Sequence, residues 1–89
     1  MKNLFRLDGR TALLTGATGH LGREMAIALC EAGARVFLGG RDAGKLSALA
    51  GFLTAAGHQA TAAPGDIAAP AGARRLIDRV RRTASRLDV

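Results

Sequence analysis

Gly16, Gly19 and Gly22 fall within seven residues and are the part of this chain best placed to do chemistry. They follow a short apolar run, Ala12-Leu13-Leu14, and lead directly into a helical repeat of Met25, Ile27, Ala28, Leu29 and Ala32. A strand, a glycine turn and a helix N-terminus together make an anion cradle. The first backbone N–H groups of a helix lack intrahelical acceptors and lie at the positive end of its dipole. Glycines let the chain turn sharply and let a phosphate approach the backbone without meeting a Cβ. Thr15 and Thr18 add hydroxyl donors nearby. The spacing matches neither G-x-G-x-x-G nor the P-loop, and no lysine follows the turn, which argues against a triphosphate mechanism. A βα loop with no ligand is the alternative, but the flanking strand and helix favour phosphate binding.

A second candidate lies downstream, in Gly39-Gly40-Arg41-Asp42. In dinucleotide-binding folds an acid at the end of the second strand grips the ribose 2′-hydroxyl, whereas an arginine accommodates a 2′-phosphate. No acid precedes Arg41, so NADP is expected rather than NAD. Asp42 either caps the next helix or reaches the ribose, and the cap is favoured. Other chemistry is sparse. Cys30 is alone and forms no internal disulfide or cysteine cluster, and His20 and His58 belong to no metal-ligand constellation. The chain contains no tyrosine.

The elements that must position these residues alternate. Strand one is expected at about 11–16 and helix one at about 20–32, ending at Gly33. Strand two is Arg35-Val-Phe-Leu-Gly. Asp42 caps a helix over roughly 43–56 that turns Leu46, Leu49, Phe52 and Leu53 to the core, and Gly57 closes it. Gln59-Ala-Thr-Ala-Ala is a weak third strand suited to a sheet edge. Pro70 suits the first turn of helix three. Leu87-Asp-Val reads as the start of a fourth strand. The fold class is therefore α/β: a partial Rossmann-like parallel sheet, β-α-β-α-β-α, with strand order 3-2-1, truncated at the start of strand four. Residues 1–89 form one partial dinucleotide-binding domain. The free edge of strand one is left open for a partner, including self-association.

Charge and composition narrow the partners. The net charge of +6 resides largely in Arg74, Arg75, Arg79, Arg81, Arg82 and Arg86. Ala73, Leu76, Ile77, Val80, Ala84 and Leu87 share the opposite face, as in an ordinary amphipathic helix. Asp78 stands four residues from Arg74 and from Arg82, a spacing that suits surface ion pairs. No aromatic residue interleaves to stack bases, so nucleic acid is not the expected partner. No apolar run reaches membrane-span length and no signal-like segment opens the chain, which points to a cytoplasmic protein without a membrane partner.

Taken together, the sequence resembles the N-terminal, cofactor-binding part of the short-chain dehydrogenase/reductase family. The resemblance runs from Leu7-Asp-Gly-Arg-Thr-Ala-Leu-Leu-Thr-Gly through Glu31-Ala-Gly-Ala-Arg-Val, Gly40-Arg41 and Gly65-Asp66-Ile67 to Arg86-Leu-Asp-Val. It implies that Gly16, Thr18, His20, Leu21 and Gly22 line the pyrophosphate and adenosine site, with Gly19 in the same turn. It also implies that Arg41 meets the 2′-phosphate and that Asp66 and Ile67 border the adenine. The family's commonest turn, T-G-x-x-x-G-x-G, has glycine where this chain has His20; the glycines here fit T-G-x-x-G-x-x-G, the spacing of the extended branch. Position 20 keeps its backbone donor if its φ is ordinary, and a solvent-facing His20 is favoured over a phosphate ligand. The family's chemistry uses a tyrosine, a lysine four residues later, a serine and an asparagine-rich turn. This chain has no tyrosine, and its lysines are Lys2 and Lys45. The resemblance thus implies the NADP(H)-binding portion of an oxidoreductase that passes a hydride between NADP and a carbonyl or alcohol, inactive by itself. The alternative is a standalone nucleotide-binding or protein-interaction module using its open strand edge.

Overall fold

A computed structural model describes residues 7–17, 19–65, 70–84 and 87–88. Six elements alternate along the chain: β1 (Thr11–Thr15), α1 (His20–Glu31), β2 (Arg35–Gly40), α2 (Ala43–Ala55), β3 (Ala60–Pro64) and α3 (Pro70–Ala84). The strands form one parallel sheet in the order β1-β2-β3, with Leu13 level with Phe37 and Leu38 level with Ala62. The expected 3-2-1 order is therefore observed. β3, poor in large β-formers, takes the edge.

Successive strand residues point to opposite faces, and the core divides accordingly. Ala12, Val36 and Leu38 face α1 and α2, where they pack with Ala26, Cys30, Leu46, Leu49 and Leu53. Phe37 and Ala63 face the other way and meet Leu76 and Val80 of α3. Both α1 and α2 end in a Schellman arrangement. Gly33 N–H donates to Cys30 and Ala34 N–H to Leu29, and the same pattern joins Gly57 to Thr54 and His58 to Leu53. Asp42 caps α2 as expected, its carboxylate accepting from the Lys45 N–H at 3.0 Å.

Two helical faces differ from the sequence expectation. In α1 the buried positions are Gly22, Ala26 and Cys30, one per turn, while Met25 is 46% exposed and Ala28 is also exposed. The reason is steric: this helix lies so close to the sheet that small side chains occupy the contact stripe, and the larger apolar residues flank it or point out. In α2, Leu46, Leu49 and Leu53 are buried, but Phe52 is 50% exposed. It accepts the Arg23 guanidinium over its ring at 4.7 Å instead. On α3, Leu76 and Val80 are buried, the described arginines are exposed, and Ile77 is 38% exposed. No ion pair joins Asp78 to Arg74 or Arg82 among the described residues.

Leu87 and Asp88 lie at the outer edge of β1, where a fourth strand was expected to begin. Asp88 N–H donates to the Thr11 carbonyl at 2.8 Å, and Thr11 N–H donates to Asp88 Oδ2 at 2.9 Å. Arg10 pairs with the same carboxylate at 3.6 Å. Leu87 packs against the α3-side cluster.

Candidate functional site

The site begins where β1 gives way to α1. Gly16 has φ +71°, a left-handed conformation that reverses the chain directly after Thr15. Gly22, in the first turn of α1, then lies against the same residue. A Cβ built on Gly22 would stand 2.1 Å from the Gly16 carbonyl oxygen and 2.9 Å from the Ala17 Cα, well inside contact distance. Only glycine permits this approach, and it brings the start of α1 down onto the turn. Gly19 is the N-cap, with no side-chain cap hydrogen bond and no acidic residue in the first turn of the helix. A Cβ at Gly19 would meet the Gly16 carbonyl oxygen at 3.8 Å, an ordinary van der Waals contact. The helix N-terminus therefore has its donors and dipole without a side-chain carboxylate of its own in that turn.

His20 is the first residue of α1 and is exposed. Its helical backbone shows why a side chain is tolerated where the commoner family turn has glycine. Leu21 is 72% exposed and turned outward. Because β1 and β2 are parallel with Thr15 level with Gly39, both strands end on the same side of the sheet. The link between the two ends is direct, since Ala17 N–H donates to the Gly39 carbonyl at 3.5 Å. Arg41 follows β2 immediately and is exposed at this end. The fold thus gathers Gly16, Gly19, His20, Leu21 and Gly22 at one strand end and sets Arg41 at the next. Thr18, Asp66 and Ile67 lie outside the described residues.

Two residues that the sequence reading passed over share this end of the molecule. Arg23 of α1 and Lys45 of α2 line a cavity of about 250 Å3 with Ala17, Ala48 and Leu49. The signal was weak because each looks like an ordinary solvated cation on its own helix. A larger concavity of about 460 Å3 lies beside α3, bounded by Pro64, Gly65, Arg75 and Arg79, where an Arg79 guanidinium N–H donates to the Pro64 carbonyl. No group of three or more potential metal ligands occurs among the described residues. No helix among them is long and apolar enough to cross a membrane.

Known proteins share this fold. Residues 10–89 match the short chain dehydrogenase family. The chain belongs to that family. All 89 residues align at 43% identity with a rhamnolipid-biosynthesis 3-oxoacyl-[acyl-carrier-protein] reductase of Pseudomonas aeruginosa, covering 34% of that protein. The P. aeruginosa RhlG/NADP active-site complex superposes with a TM-score of 0.87 at 43% identity, over 99% of this chain and 34% of the other. A metagenomic short-chain oxidoreductase solved with NADP gives a TM-score of 0.87 at 34% identity, over 93% and 38%. The chain therefore spans about a third of these short-chain dehydrogenase relatives, and its elements correspond to their Rossmann fold.

Proposed function

We propose that this chain is the NADP(H)-binding portion of a short-chain oxidoreductase, holding the adenosine and pyrophosphate end of the cofactor. The observation that carries the reading is the Gly16–Gly22 contact, which sets the α1 N-terminus against the turn, beside a β2 end that has Arg41 and no preceding carboxylate. The pyrophosphate would meet the backbone donors of residues 20–22, and Arg41 would meet the ribose 2′-phosphate. Two similar structures were solved with NADP, which supports the same choice. When bound, the nicotinamide supplies hydride transfer with a carbonyl or alcohol. Within these 89 residues no tyrosine is present to carry the accompanying proton, so the chain alone is expected to bind without turnover.

Titration by NADPH fluorescence tests this reading. NADPH is expected to bind at least about tenfold more tightly than NADH, with the preference lost in Arg41→Ala. Equal affinities in the wild type would sink the NADP assignment. A second reading, an interaction module that uses the β1 edge, draws on one observation: Asp88 pairs with the backbone of Thr11 at that edge, as a further strand would. Sedimentation showing a dimer, with no nucleotide binding, would favour it.

A further inference from the structure

We infer that the flank of α3 beside the β3 edge is a docking surface for an acidic helix of a partner protein, recognised by Arg75, Arg79 and Arg82. The surface lies on a different helix from the glycine turn, and the inference stands independently of the NADP reading.

The α3 helix carries five arginines and a single acid, Asp78. Leu76 and Val80 turn to the sheet, which puts Arg74 and Arg81 on the far side of the helix. Arg75, Arg79 and Arg82 stand at i, i+4 and i+7 in one row, about 10 Å long at ~1.5 Å per residue. They line a concavity of about 460 Å3 with Pro64, Gly65 and Asp78. Arg75 and Arg82 are exposed, and no ion pair among the described residues engages either. Asp78 is the one acid in that lining for the row to outweigh.

The neighbouring strand edge is closed to an added strand. Val36 N–H donates to the Gln59 carbonyl and Gly65 N–H to the Gly40 carbonyl, so alternate residues from Gln59 to Gly65 bond β2. Ala60, Ala62 and Pro64 therefore direct their backbone groups outward. The Ala60 carbonyl accepts from the Thr54 hydroxyl, the Pro64 carbonyl accepts from the Arg79 guanidinium, and Pro64 has no N–H. A partner at this flank must be recognised by side chains. The same Arg79 contact fixes the middle of the row and leaves other guanidinium N–H groups to donate. Three guanidinium groups at helical spacing match three carboxylates repeated at that spacing, each pair suited to a planar two-point contact. No aromatic side chain lines the concavity to stack a base. The apolar face of α3 is buried against the sheet, and Ile77 alone is too little apolar surface to enter a bilayer.

Fluorescence anisotropy with a labelled, alanine-rich helical peptide of about 18 residues tests the inference. One peptide carries glutamates at i, i+4 and i+7; a second has the same composition with its glutamates adjacent. Two variants change the net charge equally: Arg75→Glu/Arg82→Glu on the flank and Arg74→Glu/Arg81→Glu on the far side. Circular dichroism is matched first, and Arg75→Gln/Arg82→Gln reads the same flank where the reversal disturbs folding. The flank reversal is expected to weaken the spaced peptide at least about tenfold, and the far-side reversal no more than about threefold. The adjacent-glutamate peptide should bind the wild type at least about threefold more weakly. No binding of the spaced peptide, equal losses in the two reversals, or equal binding of the two peptides would overturn the inference. Tighter binding of a single-stranded oligonucleotide, phosphatidylserine vesicles or pyrophosphate, lost in the flank reversal, would reassign the row to nucleic acid, lipid or free phosphate. A parallel loss of NADPH affinity in the flank reversal would place the row at the cofactor and overturn the docking assignment.

Discussion

On the α1–α2 face of the sheet, ten described residues are buried in one cluster, with Leu38, Leu46 and Leu53 almost without exposure; the α3 face buries four, Phe37, Ala63, Leu76 and Val80. The first face is closed by two helices, each ended by a Schellman motif. The second has one helix, Ile77 at its margin partly exposed, and Arg35 stacked over the Phe37 ring at 5.1 Å. The glycine turn is built into the well-packed half. Its geometry depends on contacts made within this chain, whereas the α3 half leaves Ile77 partly exposed at its margin. The difference locates where binding geometry and stability should be most sensitive to substitution.

Paired truncations would break the comparison most sharply. Leu38→Ala removes a fully buried side chain from the closed face and is expected to cost toward the upper end of about 2–5 kcal/mol in urea unfolding. Leu76→Ala should cost toward the lower end of that ~2–5 kcal/mol range, because a partly open cluster collapses more readily around the gap. Equal losses would show that the two halves are packed alike.

Gly22→Ala comes next and sharpens the link between packing and site. Its Cβ would strike backbone atoms that cannot swing aside, so the helix must move. The cost is expected near or above the ~3 kcal/mol usual for overpacking, with nucleotide binding lost together with stability. Gly19→Ala is the control. It has φ −75° and a Cβ there would make only an ordinary contact at 3.8 Å, so the substitution should cost no more than about 1 kcal/mol as a poorer cap. If Gly22→Ala unfolds no more easily than Gly19→Ala, the close approach of α1 does not hold the turn.

Much of this was legible in the sequence. β2, the capped α2 and the weak edge strand follow from local preferences that the tertiary fold does not contradict. The α1 stripe was not legible, because the usual search for large apolar residues misses a contact made by Gly22, Ala26 and Cys30. Phe52 was misplaced for the converse reason: an aromatic at core spacing can serve as a platform for a cation from the neighbouring helix. The glycine turn and Arg41 were visible as motifs. Arg23 and Lys45 lie 22 positions apart in sequence and meet only once α1 and α2 are placed side by side.

The cap of α2 offers a smaller test at the border between the packed half and the site. Asp42→Ala removes the acceptor for the Lys45 N–H and should lower stability by about 1 kcal/mol, while Asp42→Asn should retain most of it. A loss confined to nucleotide affinity, with stability unchanged, would show that Asp42 acts on the ribose rather than on the helix.

Cys30 gives the smallest effect and reports whether the closed face stays closed. Burial, reinforced by the adjacent Glu31 carboxylate, pushes its thiol above the ordinary value. Below about pH 8.5, the usual thiol range, both folded and unfolded chains keep the proton and Cys30 adds no pH dependence. Above it the unfolded chain loses the proton first. The unfolded state then binds fewer protons, and stability must fall as pH rises toward the folded-state value. The urea midpoint of the wild type, measured against Cys30→Ala, should therefore decline as the pH rises above about 8.5. Iodoacetamide should label the native thiol slowly at about pH 8 and the urea-unfolded thiol fast. Equal labelling rates would mean that α1 separates readily from the sheet, and the contrast between the two faces would no longer stand.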